Sequence, residues 1–127
     1  MMKKLLVVDD EIAIRNMFQE TLRRAGYTVR VAESGEKALE ILEKENIQVI
    51  FLDLKLPGMN GVDLCRRIRK DKPIAVLYAV TGYASLFDLA ECREAGFDDY
   101  FIKPVDIEVI SKAAQDAFEK LYRWKKG

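Results

Sequence analysis

Histidine is absent from this 127-residue chain, and cysteine occurs only twice, as Cys65 and Cys92. Without imidazole the chain can run neither a Ser-His nor a Cys-His nucleophilic relay, and it cannot build a histidine-based zinc site. Two cysteines, both inside helical patterns, are too few for a disulfide framework and read as reduced thiols in a cytoplasmic protein. An excess of charge is missing too. Lys+Arg and Asp+Glu each total 21, so nothing calls for nucleic acid or an anionic membrane as a partner. Long apolar runs are also lacking: Leu5-Leu6-Val7-Val8 stops at Asp9-Asp10-Glu11, too soon for an export segment, and no stretch reaches membrane-spanning length. Repeats, linkers and low-complexity segments are not seen. The expectation is one domain over residues 1–127, with its core in about 3–121 and a basic C-terminal extension at 122–127.

What the chain does contain is a regular alternation of apolar strands and helical periods. The pattern predicts strands near residues 4–9, 27–32, 48–53, 74–80 and 99–102, and helices near 11–25, 35–45, 61–70, 85–95 and 106–124. Such alternation argues for an α/β domain with a parallel sheet covered by helices on both faces. Thr28-Val29-Arg30-Val31 alternates polar with apolar, as at a sheet edge, whereas Val49-Ile50-Phe51-Leu52 is apolar throughout and belongs at the centre. Ile14, Phe18 and Leu22 form one apolar stripe, and Ile110, Ala114, Ala117, Phe118 and Leu121 another. Gly26 and Gly96 stand where helices end on a residue at positive φ, and Ser85 and Asp106 are candidate N-caps.

Four strand ends carry the chemistry. In Val7-Val8-Asp9-Asp10-Glu11, Phe51-Leu52-Asp53-Leu54-Lys55, Ala79-Val80-Thr81-Gly82 and Phe101-Ile102-Lys103-Pro104, an apolar run stops and a carboxylate, hydroxyl or ammonium follows. Clustered carboxylates repel, so one would take up a proton unless a cation neutralised them. A hard divalent ion with oxygen ligands suits such a set. Asp53 is the candidate nucleophile, since a carboxylate can attack phosphorus to give an aspartyl phosphate. A helix N-terminus would explain one acid of the Asp9-Asp10 pair, though not both, and a capping role alone for Asp53 leaves Thr81 and Lys103 unexplained.

These four segments, together with Pro57-Gly58-Met59-Asn60-Gly61 after Asp53, resemble the response-regulator receiver domains of two-component signalling over residues 3–121. The resemblance implies a single doubly wound, five-stranded parallel sheet in the flavodoxin-like order 2-1-3-4-5, with the site outside the carboxyl ends of the strands. It implies that Asp10, Asp53 and the backbone carbonyl of Lys55 bind Mg²⁺, or Mn²⁺ in its place, and that Asp9 acts through water. Lys103, ahead of a cis Pro104, would meet Asp53 or the phosphoryl oxygens, and Thr81 would donate its hydroxyl to them. Thr81 would be coupled to Tyr100, so that the surface of helix four, strand five and helix five, roughly residues 85–122, repacks. Lys55 and Tyr83 would border the path of the hydrolytic water. A lysine and a bulky phenol there match receivers that retain phosphate for onward transfer.

The implied partners are a sensor histidine kinase or a histidine phosphotransfer protein, with a downstream effector or output domain. Direct nucleic-acid binding and membrane association are not expected. The expected role is a phosphoacceptor signalling domain rather than an enzyme: a stand-alone regulator, a relay intermediate, or the receiver of a longer protein. The rival from another class is a magnesium-dependent phosphohydrolase of the haloacid dehalogenase type, which would need a second acid two residues after its nucleophile, where Lys55 stands. A degenerate receiver serving only as an interaction module is the third reading, and the intact Asp9, Asp10, Asp53, Thr81 and Lys103 speak against it. Met17 and Met59 read as packing or loop residues, and Lys120–Gly127 as cations placed at a helix C-terminus.

Overall fold

A computed structural model describes residues 3–82 and 86–126. Five strands, β1 Lys4–Val8, β2 Thr28–Ala32, β3 Val49–Asp53, β4 Val76–Thr81 and β5 Asp99–Ile102, alternate with five helices. The helices are α1 Ile12–Arg24, α2 Gly35–Lys44, α3 Gly61–Asp71, α4 Leu86–Ala95 and α5 Ile107–Lys126. All strand pairs are parallel, and the sheet order is β2-β1-β3-β4-β5. The alternating strand β2 lies at an edge, and β3, apolar from Val49 to Leu52 and buried throughout, is central, its alternate side chains filling the two faces. The proposed caps Ser85 and, at the site, Tyr83 lie outside the described residues.

Strand geometry sends successive side chains to opposite faces, and the sequence uses that period to fill two cores. Leu5, Val7, Val49, Phe51, Val76, Tyr78 and Val80 face α1 and α5, where they meet Phe18, Leu22, Ile110, Ala114 and Ala117. Leu6, Val8, Ile50, Leu52, Leu77 and Ala79 face α2, α3 and α4, packing on Ala38, Ile41, Leu64, Cys65, Ile68 and Cys92. Met17 packs against the first core and Met59 against the second. On the α1/α5 side, edge-to-face ring contacts run from Phe18 to Phe51 at 5.5 Å, on to Tyr78 at 5.2 Å and to Phe101 at 5.4 Å. The Tyr78 hydroxyl donates to the Ala113 carbonyl at 3.2 Å, and burial pushes its pKa up to about 12.

Helix ends follow local chemistry. Gly26 at φ 97° and Gly96 at φ 110° stand just past α1 and α4, and the amides of Tyr27 and Phe97 turn back to the Leu22 and Cys92 carbonyls at 3.1 Å each. The Asp106 carbonyl accepts from Ile110 N–H at the start of α5. Two N-caps carry no prediction from the sequence: Ser34 Oγ accepts from Lys37 N–H, and Asn60 Oδ1 from Asp63 N–H. The basic C-terminal segment continues α5 to Lys126, with Tyr122 and Trp124 exposed and Lys120 ion-paired to Asp98 at 2.9 Å. Among the described residues no helix is long and apolar enough to cross a membrane.

Phe51 lies in the middle of the ring series and is fully buried. Phe51→Ala is expected to cost about 3–5 kcal/mol, read as a fall in the urea midpoint followed by circular dichroism. Ile74→Ala, at a half-exposed loop position, should stay within about 0.5 kcal/mol of the parent. Comparable losses from both would show that the ring series does not anchor the core.

Candidate functional site

The parallel arrangement brings the carboxyl ends of β1, β3, β4 and β5 to one rim. Val8 pairs with Leu52 across β1 and β3, so Asp9 and Asp53, each one residue on, leave the sheet side by side. Asp53 is in register with Val80, and Thr81 with Ile102, which sets Thr81 and Lys103 beside them. The Lys103 N–H donates to the Thr81 carbonyl at 2.7 Å, tying the two strand ends together. The peptide bond from Lys103 to Pro104 is cis. Asp9, Asp53 and Thr81 are 2, 5 and 2% exposed, and polar groups so buried require partners.

For the carboxylates those partners are specific. Asp9 Oδ1 accepts from Glu11 N–H at 2.9 Å, and its carbonyl accepts from the Arg15 guanidinium at 2.7 Å. Asp53 Oδ1 accepts from Lys55 N–H at 3.2 Å. Lys103 Nζ then reaches Asp9 at 2.9 Å, Glu11 at 3.1 Å and Asp53 at 3.2 Å. Carboxylate oxygens of Asp9, Asp10, Glu11 and Asp53 all lie within 4.8 Å of one another.

The electrostatics follow from that crowding. Burial raises the Asp53 pKa, and the Asp9 charge adds to it; the Lys55 N–H and the Lys103 ammonium pull the other way without cancelling the rise. Burial alone would lower Lys103, but the hydrogen bond to Asp9, the Asp53 charge and the hydrogen bond to Glu11 outweigh it and hold its pKa above the usual lysine range. One ammonium is shared by several acids, so it is held fully charged while Asp53 still carries excess proton affinity. Four carboxylates thus gather around Lys103, with the Arg15 guanidinium on the Asp9 carbonyl as a second nearby cation. Donors that are all hard oxygens suit Mg²⁺, while the soft thiols of Cys65 and Cys92 lie in the core under α3 and α4.

Asp9, Asp10, Asp53, Lys55, Thr81 and Lys103 thus lie along one rim. Asp10 is exposed, and the Lys55 side chain points to solvent while its amide braces Asp53. Tyr100, on β5, is 39% exposed. Two residues were not singled out. Glu11 holds Lys103; its place next to the acid pair was the available signal. Gly61 begins α3 directly against the chain leaving Asp53, with its N–H on the Leu54 carbonyl at 2.9 Å. A Cβ there would stand 2.2 Å from the Asp53 carbonyl oxygen and 2.7 Å from Leu54 Cα.

With this geometry established, comparison with known proteins gives a consistent result. The family model of the response regulator receiver domain matches residues 5–115. The chain is 36% identical over 116 residues to sporulation initiation phosphotransferase F of Bacillus subtilis, covering 91% of this chain and 93% of that protein. It is 37% identical over 106 residues, 84% of this chain, to a cyclic di-GMP phosphodiesterase of Thermotoga maritima, and spans only 28% of that protein's length. Among solved structures, a CheY-like response regulator receiver domain protein from Methanospirillum hungatei superposes with a TM-score of 0.89 at 33% identity, each chain covered completely.

Gly61→Ala is expected to push the Asp53–Leu54 backbone aside, lowering stability by about 1–3 kcal/mol and shifting the Asp53 and Lys55 amide resonances. Gly82→Ala, whose added Cβ would meet nothing within 4 Å, serves as the comparison. Unchanged Asp53 and Lys55 resonances in the Gly61 variant would mean that α3 does not position the acid.

Proposed function

The chain belongs to the response regulator receiver domain family of two-component signalling, and we propose that Asp53 is its phosphoacceptor. The observation that carries this reading is the meeting of Asp53 with Lys103 at 3.2 Å, beside Asp9, in a buried corner where three strands end. An Asp53 oxygen attacks the phosphorus of a phosphohistidine, the phosphorus–nitrogen bond breaks, and the neutral imidazole leaves as the aspartyl phosphate forms. Asp10, Asp53 and the Lys55 carbonyl would hold Mg²⁺, with Asp9 acting through water, and the ion would neutralise charge on the transferring group. Lys103 supplies a fixed positive charge to the phosphoryl oxygens, and the Thr81 hydroxyl donates to one of them. Movement of Thr81 would release Tyr100 from its half-exposed position and repack the surface made by α4, β5 and α5.

Receiver domains work with histidine kinases or phosphotransfer proteins, and one of these is the proposed donor. The likeness to a phosphotransferase along 93% of its length supports a relay role. The 28% coverage of the phosphodiesterase shows a receiver-like segment within a longer relative, so an attached or separate output is equally compatible with the family. The hydrolase alternative finds no support in the family match, and its second acid is replaced by Lys55.

Acetyl phosphate with Mg²⁺ is expected to add one phosphoryl group, seen by intact mass under native conditions, and Asp53→Asn should not accept it. Beryllofluoride with Mg²⁺ should shift amide resonances at Tyr100 and along α5 as well as around Asp53. Equal labelling of both proteins would refute Asp53 as acceptor, and shifts confined to its neighbours would refute the switch.

The long-lived phosphoryl group proposed for this chain rests on Lys55 and Tyr83. An ammonium has only donors and cannot accept a proton from an attacking water, whereas a carboxamide or carboxylate can orient one. First-order decay of the phosphorylated protein in Mg²⁺ buffer is expected to accelerate from the parent to Lys55→Asn and further to the Lys55→Asn, Tyr83→Glu double variant. A constant decay rate through the series would remove these side chains from the account.

A further inference from the structure

Glu11 is the one acid of the cluster that the phosphoacceptor reading leaves without a task, yet it grips the same ammonium as the two buried aspartates. A lysine ammonium has three N–H donors. Here three carboxylates, Asp9, Glu11 and Asp53, lie within 3.2 Å of Lys103 Nζ, so every donor is engaged before any phosphoryl group arrives.

That arrangement conflicts with the role of Lys103 during transfer. While the bond to phosphorus forms, Asp53 is still an anion, and Lys103 has to turn a donor toward the phosphoryl oxygens. One carboxylate must let go. Burial decides which: the Asp9 side chain is 2% exposed and that of Asp53 6%, whereas that of Glu11 is 60% exposed. Mg²⁺ would compensate Asp53 directly and Asp9 through water, yet a buried carboxylate that loses its ammonium cannot be rehydrated. An exposed one is rehydrated and loses little.

Resting on the phosphoacceptor reading, we propose that Glu11 is a positioning residue that holds Lys103 in the unphosphorylated site and releases it as the phosphoryl group arrives. Its carboxylate therefore favours the resting arrangement and opposes transfer. Glu11 reaches Lys103 across 92 positions of sequence, and its ion pair lies at the solvent-facing mouth of the site. It thus sets how readily the lysine turns inward without touching the reacting atoms.

The test compares the parent, Glu11→Gln and Glu11→Asp. Glu11→Gln removes the charge, while Glu11→Asp keeps the charge but shortens the reach to Lys103 by one methylene. Phosphorylation by acetyl phosphate at saturating Mg²⁺ is expected to quicken in both variants by about two- to fivefold, the range that one exposed ion pair supports. Independently of activity, the ¹⁵N–¹H signal of the Lys103 ammonium in metal-free protein should shift in both. Rates and ammonium signals unchanged from the parent would overturn the proposal. So would an effect confined to Glu11→Gln, which would make Glu11 a source of general repulsion. If the parent accepts no phosphoryl group at all, the underlying phosphoacceptor reading falls, and this role for Glu11 falls with it.

Discussion

A single ammonium, Lys103 Nζ, binds carboxylates that leave two different strands of the sheet, and it can do so only if those strands run the same way and end on one rim. β5 and β1 are separated by β3 and β4, so the four-carbon stem of lysine has to lie across the rim to reach Asp9 at 2.9 Å. The β1–β3 pairing puts Asp9 and Asp53 next to each other. The hydrogen bond from Lys103 N–H to the Thr81 carbonyl sets where that stem starts. Parallel order, strand register and the reach of one side chain are thus parts of one requirement.

The sheet meets that requirement because its interior offers no alternative place for charge. β3 and β4 are buried along their whole length, and both faces are filled by aliphatic and aromatic side chains. A carboxylate fits only where a strand stops and water or a partner becomes available, while the phenol inside β4, Tyr78, is tied to the Ala113 carbonyl. Asp53 sits at that limit, buried enough for its proton affinity to rise yet close enough to the rim to receive Lys103 and the Lys55 amide.

The opposite end of the sheet shows what a purely structural ion cluster looks like. There Asp98 accepts from Leu77 N–H at 2.8 Å and pairs with both Arg69 and Lys120. Arg69 also donates to the Gly96, Pro73 and Ala75 carbonyls, joining α3 to the turn before β5. One acid is matched by two cations and a backbone donor, and these groups serve one another. At the carboxyl rim the balance is reversed, with four acids around one lysine. The excess of acid, rather than the presence of ion pairs, distinguishes this rim from the clasp at the other end.

Much of this was legible in the chain itself. Alternating strand and helix periods, the apolar run Val49–Leu52, the positive-φ glycines after α1 and α4, and the polar residues at four strand ends depend on neighbours a few positions apart, and short-range chemistry determines them. The resemblance to receivers then supplied the strand order. What no local pattern could reveal were contacts made after the strands were in register. Glu11 read as the tail of an acidic triplet until Lys103, 92 residues away, was found against it. Gly61 read as the first residue of a helix, and only the fold shows the Asp53 carbonyl in the space of its missing Cβ. Sequence alone determined which groups stand at the strand ends, since periodicity and burial are local properties. Tertiary structure decided which of them share a cation, because distances of 3 Å between remote residues exist only once the chain has closed on itself.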